Sequence, residues 1–585
     1  MLCLWFAFVP SWVDGAGPDR SPVDLVLALD DSWLVTANQT SDSLSLVRIA
    51  DGVLIDEVRT GRRPAAVALH PDGQRVLVTC STSGELQIFN VEGERLQQSA
   101  SIRIGYQPTG IAMDTEGKMA YVAMTDADQV AIVDLERHEV VGKIQVGRWP
   151  RYLALSNDGK RMAVGTSGDR GITVVDVDAR EPIRIDRFVG LNIGHMQFSH
   201  ETGDIYFPWM VYRRNPITEG NIRLGWVMAS RLGRMTMHDD ARREAISLDP
   251  PGKAVADPHG LALSSDGKHV VVSASGSHEL LVYQIDGLPF QDRGSTDHID
   301  PKLLADARRF YRIELGGRPM GLRIGKDDRT IYVANYLDNS VQVVDVESRQ
   351  VARTLRLGGN EPPTLARRGE AIFFDARRSL DQWYSCHSCH YEGGANAVVM
   401  DTFNDGTPFT FKTVPPLYDL DKTGPWTWHG TQKDLHAAMK HSLSTTMLGP
   451  TPSDADAEAL IAYFSSLAPP PNPYRSEGSS PSDAAMRGEQ LFRSPVSGCS
   501  QCHSGAYRTD GEVHDLGLSH RNDAHPGFNT PALTGVFRKV QWLHDGRSSS
   551  LQELLTGPHA PEKVAGERAL TENELRDLIE YLKTL

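Results

Sequence analysis

The sequence predicts an all-β propeller of about seven blades followed by two homologous α-helical domains. Three observations carry this reading. A phrase recurs through roughly the first 360 residues, the last part of the chain is nearly duplicated, and each half of that duplication holds one C-x-x-C-H motif.

The chain has 585 residues, too many for a single core, so several domains are expected. It opens with MLCLWFAFVPSWV, followed by Gly15, Ala16 and Gly17. Residues 1–17 read as a secretion signal with small residues at the cleavage site; the alternative is a buried first strand. No other segment is long and apolar enough to span a bilayer, so the mature chain is expected not to be membrane-spanning.

Residues 18–362 carry the repeat. It reads RRPAAVALHPDGQRVLV from Arg62, YQPTGIAMDTEGKMAYV from Tyr106 and RWPRYLALSNDGKRMAV from Arg148. It returns as DPHGLALSSDGKHVVV from Asp257 and GRPMGLRIGKDDRTIYV from Gly317, with a degenerate copy, NIGHMQFSHETGDIYFP, from Asn192. Pro64, Pro108 and Pro150 mark steps of 44 and 42 residues. Each unit shows alternating apolar residues, a D-G type turn and a second β-rich run, which is a hairpin signature. A period of ~40–45 residues built of short strands marks a propeller blade. Residues 23–60 supply one more divergent unit. These repeats resemble the YVTN family of surface and periplasmic propellers, which implies a fold and little about function. The stretch from Pro208 breaks the period and reads as a loop packed over the propeller mouth. His195 and His259 occupy equivalent blade positions and are expected to line the central channel.

Two helical domains follow, 363–468 and 484–585, joined by a Pro- and Ser-rich linker, 469–483. RGEAIFF from Arg368 matches RGEQLF from Arg487, TVPPL matches NTPAL, and WTWHG matches QWLHDG. SDADAEALIAYFSSL matches TENELRDLIEYLKTL, each opening with a hydroxyl N-cap and acidic residues.

Four of the six cysteines form the pairs Cys386/Cys389 and Cys499/Cys502, in CHSCH and CSQCH. Cys80, at the end of LVTC, reads as a buried thiol. C-x-x-C-H is the haem c attachment signature: both thiols bind the porphyrin covalently and the next histidine lies under the iron. Zinc would need four ligands per site, and a redox dithiol would need a βαβ context that is absent. The motifs therefore predict two covalent haems, with His390 and His503 as proximal ligands, in cytochrome c-like domains. No methionine follows Met486, so from Cys499 to the end the domain offers none, and a His/Met iron there would need its ligand from elsewhere. His514, His520, His525, His544, His559, Tyr507 and Tyr581 remain as sixth-ligand candidates.

Residues 363–585 resemble the bacterial di-haem cytochrome c peroxidase family, which includes the methylamine dehydrogenase maturation enzyme. The signature stretch is FNTPALTGVFRKVQWLHDGRSSSLQELL, Phe528 to Leu555. The resemblance implies one haem for electron transfer and one that meets peroxide, with a tryptophan between them; Trp428 matches that position and Trp426 is the alternative. It places the sixth ligand of the second iron in TGPHAPEK, at His559, and gives His544 a supporting hydrogen bond. For the first iron, the loop after CHSCH has no histidine, which leaves either an open position or another side chain as ligand. The helix QKDLHAAMKHSLSTTM offers His436, Met439, His441 and Met447. Thr446 or Ser444 stands where the family carries a glutamate acid/base, and His436 or His441 is expected to take its catalytic place. The family also implies a calcium ion between the domains, although the positions near Thr413 and Gln541 depart from the usual pattern.

The net charge of −15 argues against nucleic acid or an anionic membrane as main partner. The expectation is a periplasmic di-haem oxidoreductase that uses hydrogen peroxide, as a peroxidase or by oxidising a partner protein. The alternative is a non-catalytic di-haem electron carrier with the propeller as its docking domain.

Overall fold

The computed structural model describes residues 19–238, 242–359, 362–403, 405–475 and 481–585. The expected secretion signal lies outside them. Among the described residues no helix is long and apolar enough to cross a membrane.

The repeat folds as seven antiparallel blades around one axis. The first runs Pro22–Leu27, Trp33–Asn38, Ser43–Arg48 and Leu54–Arg59. The last ends with Gln350–Arg356. The recurring proline opens the innermost strand of blades two, three and four, at Pro64, Pro108 and Pro150. It sits where its missing N–H costs no ladder bond. Alternation buries every second side chain between neighbouring blades, and Cys80 is one of them, fully buried with its thiol pushed up to about 12 by desolvation. Asn339 closes the ring by accepting the backbone N–H groups of Arg20 and Ser21.

The fifth blade differs from the expectation of a loop. Asp204–Tyr212 and Met228–Thr236 form a nine-residue hairpin paired along its whole length. Both faces are buried, so the run carries no polar alternation that would mark a strand. Its tip does not cover the propeller mouth alone. The Ile217 N–H donates to Asp401 O at 3.0 Å, the Tyr212 hydroxyl donates to Val399 O, and Arg214 lies 4.6 Å over Phe411. Met210, Ile217 and Met228 share one hydrophobic core with Phe373, Trp383 and Met400 of the first helical domain.

Each helical domain crosses its first helix against its last: Leu365–Phe373 on Asp454–Ser466, and Asp483–Arg493 on Glu572–Lys583. Ser453 and Thr571 cap the last helices in reciprocal capping boxes. The duplicated R-G-E has a packing cause. A Cβ on Gly369 would lie 1.9 Å from Ala459 O, and one on Gly488 2.0 Å from Asp577 O. Gly488→Ala should therefore destabilise the second domain by about 1–3 kcal/mol, the usual cost of overpacking, measurable as a drop in the denaturant midpoint.

Candidate functional site

The two C-x-x-C-H turns open onto separate cavities. The first motif forms one helical turn, Cys386–Cys389, started by Ser385. Cys386, Cys389 and His390 line a cavity with about 1320 Å³ of empty space. His390 Nδ1 faces Pro415 O at 2.9 Å. That bond makes Nδ1 the donor and turns Nε2 into the cavity as a neutral ligand atom; burial lowers the imidazole to about 4. The Cys386 and Cys389 sulfurs lie 3.6 and 3.3 Å from the sulfurs of Met447 and Met400, which places both methionines beside the attachment edge.

The second motif lines a cavity with about 1250 Å³ of empty space, with apolar walls from Leu551, Leu554, Leu555 and Leu582. His503 Nδ1 faces Arg508 O at 3.0 Å, repeating the arrangement at His390. His559 stands across from His503, with ring centres 6.3 Å apart and planes at 86°. An imidazole bound to a metal keeps its ring centre about 3.2 Å away, roughly 2.0 Å of bond plus the ring radius. Two axial histidines on one iron are thus separated by about 6.4 Å, close to what is observed. Burial, and then His503, lower His559 to about 4, so it stays neutral and able to bind metal. The donor sets and cavities fit two covalent haems, the second closed on both faces.

The other candidates fall away from that axis. His514 bonds Asp510 at 2.8 Å, His520 and His525 are exposed, and the Tyr581 hydroxyl is approached by Arg508 at 3.1 Å. His544 is buried, stacks on Phe528 at 4.0 Å, and lies 3.3 Å from Asp523.

Among the described residues no histidine ring pairs with His390 as His559 pairs with His503. Along the first cavity, the helix Leu435–His441 runs into a single π-turn, Ser442–Thr446, a feature common at functional sites. His441, at the end of the helix, and Thr446, in the π-turn, both line the cavity wall. His441 Nε2 and Thr446 Oγ1 are buried without hydrogen-bond partners, while Nδ1 of His441 meets Thr445 Oγ1 at 3.2 Å. Ser444 turns back to Lys440 O. His436 does not line the cavity and lies towards Asp454, so of the two histidines named from sequence only His441 is placed to act there.

Trp428 lines both cavities, whereas Trp426 lines only the first. The Trp428 indole donates to Thr413 O at 2.8 Å, and its ring lies 6.3 Å from His544. Lys539 sits 5.5 Å from the Trp428 ring, and burial lowers its ammonium to about 8. A cation there disfavours removal of an electron from the indole. Transfer through Trp428 should therefore speed up as pH rises through about 8, and Lys539→Met should flatten that dependence in flash-reduction kinetics.

For a cation between the domains, Asp405, His429 and Asp523 bring their ligand atoms within 4.8 Å of one another. Lys412 already places its ammonium 2.6 Å from Asp523 and 3.5 Å from Asp405. Near Thr413 the contacts are protein to protein: its N–H donates to His544 O at 2.5 Å, and its hydroxyl to Leu543 O at 2.9 Å.

Sequence reasoning missed the propeller's share in this site. Asp257, buried in the sixth blade, accepts the hydroxyls of Ser385 at 2.5 Å and Ser388 at 2.6 Å, and so fixes the first attachment turn. Glu392, just after the motif, is bound by Arg318 at 2.9 Å and Arg63 at 2.7 Å, both from the propeller. Each bond from Asp257 is charge-assisted, about 1.5–3 kcal/mol. Asp257→Ala should lower haem content at the first motif while sparing the second, as read by mass spectrometry of peptides covering each motif.

The propeller shares a core with the first of two C-x-x-C-H domains, and a tryptophan lines both of their cavities. The chain has homologues in the di-haem cytochrome c peroxidase superfamily. Hydrazine synthase subunit gamma of Kuenenia stuttgartiensis is 27% identical over 273 residues, covering 38% of this chain and 77% of the relative. Methylamine utilization protein MauG of Methylorubrum extorquens is 26% identical over 272 residues, covering 37% and 76%. Cytochrome c551 peroxidase of Nitrosomonas europaea is 20% identical over 279 residues, covering 38% and 80%. At the other end, the YNCE-like beta-propeller family matches residues 14–203. A solved structure of Kuenenia stuttgartiensis hydrazine synthase shares the fold over 58% of this chain and 99% of its own, with a TM-score of 0.51 and 22% identity.

Proposed function

We propose that the protein is a periplasmic di-haem c-type oxidoreductase whose first haem meets hydrogen peroxide and whose second haem passes electrons. The observation that carries this is the asymmetry of the two cavities: His559 faces His503 at axial-pair spacing, and no histidine faces His390 in that way. Bound at Cys386/Cys389 and Cys499/Cys502, the haems would supply reversible electron storage and, where an iron position is open, peroxide activation.

The chain's residues do the rest. His390 and His503, each oriented by a backbone carbonyl, would hold the irons. His441, with a free buried Nε2, would take a proton from the incoming peroxide oxygen and return it to the departing one, the role for which the family uses a glutamate. Thr446, beside it, can orient a bound oxygen species but cannot exchange protons at neutral pH. Trp428 would relay electrons, and His559 would keep peroxide off the second iron. The electron donor or protein substrate would dock at the second domain's exposed side; the propeller shares a core with the first domain and holds its attachment turn through Asp257.

Optical titration of the ferric protein tests this reading. Cyanide or peroxide should perturb one haem of the two; a spectrum unmoved by either would leave the electron-carrier alternative.

A second reading has its own support: both the propeller fold and the helical homology find counterparts in hydrazine synthase of one organism. It would give the first haem a small inorganic nitrogen substrate. Hydrazine formed by the reduced protein from such compounds would favour it over peroxide chemistry.

A further inference from the structure

The propeller axis holds a cavity with about 880 Å³ of empty space, separate from both attachment cavities and lined by Tyr152, His195, Gln197, Asp24 and Arg323 among others. Three aromatic side chains from successive blades converge beside it, two of them, Tyr152 and His195, in its lining. The Tyr152 hydroxyl lies 3.2 Å from His259 Nε2. The ring centres of His195 and His259 are 5.0 Å apart, and that of Tyr152 is 4.5 Å from His195. The His195 backbone N–H donates to His259 O at 2.8 Å, which locks the two blades in register at this point. Among the described residues the His195 ring has no hydrogen-bond partner. Asp24 and Arg323, the charged groups of the lining, pair with each other at 3.3 Å.

We propose that Tyr152, His195 and His259 form a binding site for one divalent transition-metal ion of the zinc–copper class, with an open position facing the axial cavity. Two separate spacings agree with it. With ring centres about 3.2 Å from a shared ion, the 5.0 Å between the histidines corresponds to about 103° at the ion. With ligand atoms about 2.0 Å from it, the 3.2 Å between Tyr152 and His259 corresponds to about 106°. Both values are close to tetrahedral. Imidazole and phenol donors suit zinc and copper rather than magnesium or calcium, which take oxygen ligands. The site stands apart from the haem reading and holds whether or not that reading does.

The test uses the full-length holoprotein, stripped of loose metal by a chelator and equilibrated with one equivalent of Zn(II). The expected result is close to one zinc per chain after desalting. Cu(II) used instead should give an EPR signal split by two imidazole nitrogens. His195→Ala and Tyr152→Phe, which alter side chains facing the cavity, should each weaken zinc binding about 10-fold or more without changing the haem absorption. Wild-type protein that retains no zinc, zinc retention undiminished in His195→Ala, or a bound Cu(II) signal without nitrogen splitting would overturn the proposal. The wild-type measurements decide the matter if a variant fails to fold.

Discussion

His441→Ala should lower the second-order rate with hydrogen peroxide by about 10²–10⁴-fold, the range a positioned proton shuttle contributes. Three observations set that expectation. The histidine lies on the first cavity's wall, its Nε2 is buried with no partner, and Thr445 fixes the other nitrogen. In described residues, no carboxylate shares its π-turn. Stopped-flow mixing of the ferric variant with peroxide gives the rate, and cyanide binding gives the control. A variant that still binds cyanide but reacts slowly with peroxide assigns proton transfer to His441. His436→Ala, away from the cavity, should leave the rate unchanged.

His559→Ala should convert the second haem from low-spin to high-spin and let it bind cyanide. His559→Met should instead keep it low-spin and raise its midpoint potential, since His/Met ligation lies above bis-histidine. The pair of variants separates ligation from loss of structure. His559 lies just after the Leu551–Thr556 helix, anchored by its N–H to Leu554 O at 3.0 Å, so replacing the side chain leaves the backbone bond in place. A second haem still low-spin in His559→Ala would point to another ligand, His514 and His544 being the other histidines on that cavity's wall besides His503.

Much of this molecule was legible because its signals are local. The blade repeat announces itself through a proline and a D-G turn within each unit, and the C-x-x-C-H turns through five consecutive residues. The His559 assignment came from a family resemblance, since nothing in TGPHAPEK alone sets it apart from six other candidates. What was not legible depends on contacts far apart in the chain. Asp257 lies 128 residues before Ser385, and no pattern in either segment predicts that one fixes the other. The hairpin from Asp204 read as a loop because burial on both faces removes the alternation that marks a strand. His436 and His441 lie on different faces of one helix, five residues apart, and only the packing shows which face meets the cavity. The shared core around Trp383 and Ile217 packs the propeller against the first C-x-x-C-H domain, where sequence alone suggested a docking domain.

The measurement that bears most directly on the account is a low-temperature EPR spectrum of the ferric protein before and after stoichiometric hydrogen peroxide. The account predicts one low-spin signal that persists and one signal from the first haem that disappears with peroxide. Two low-spin signals indifferent to peroxide, in both the ferric and the half-reduced protein, would contradict it and leave an electron-transfer module built onto a propeller.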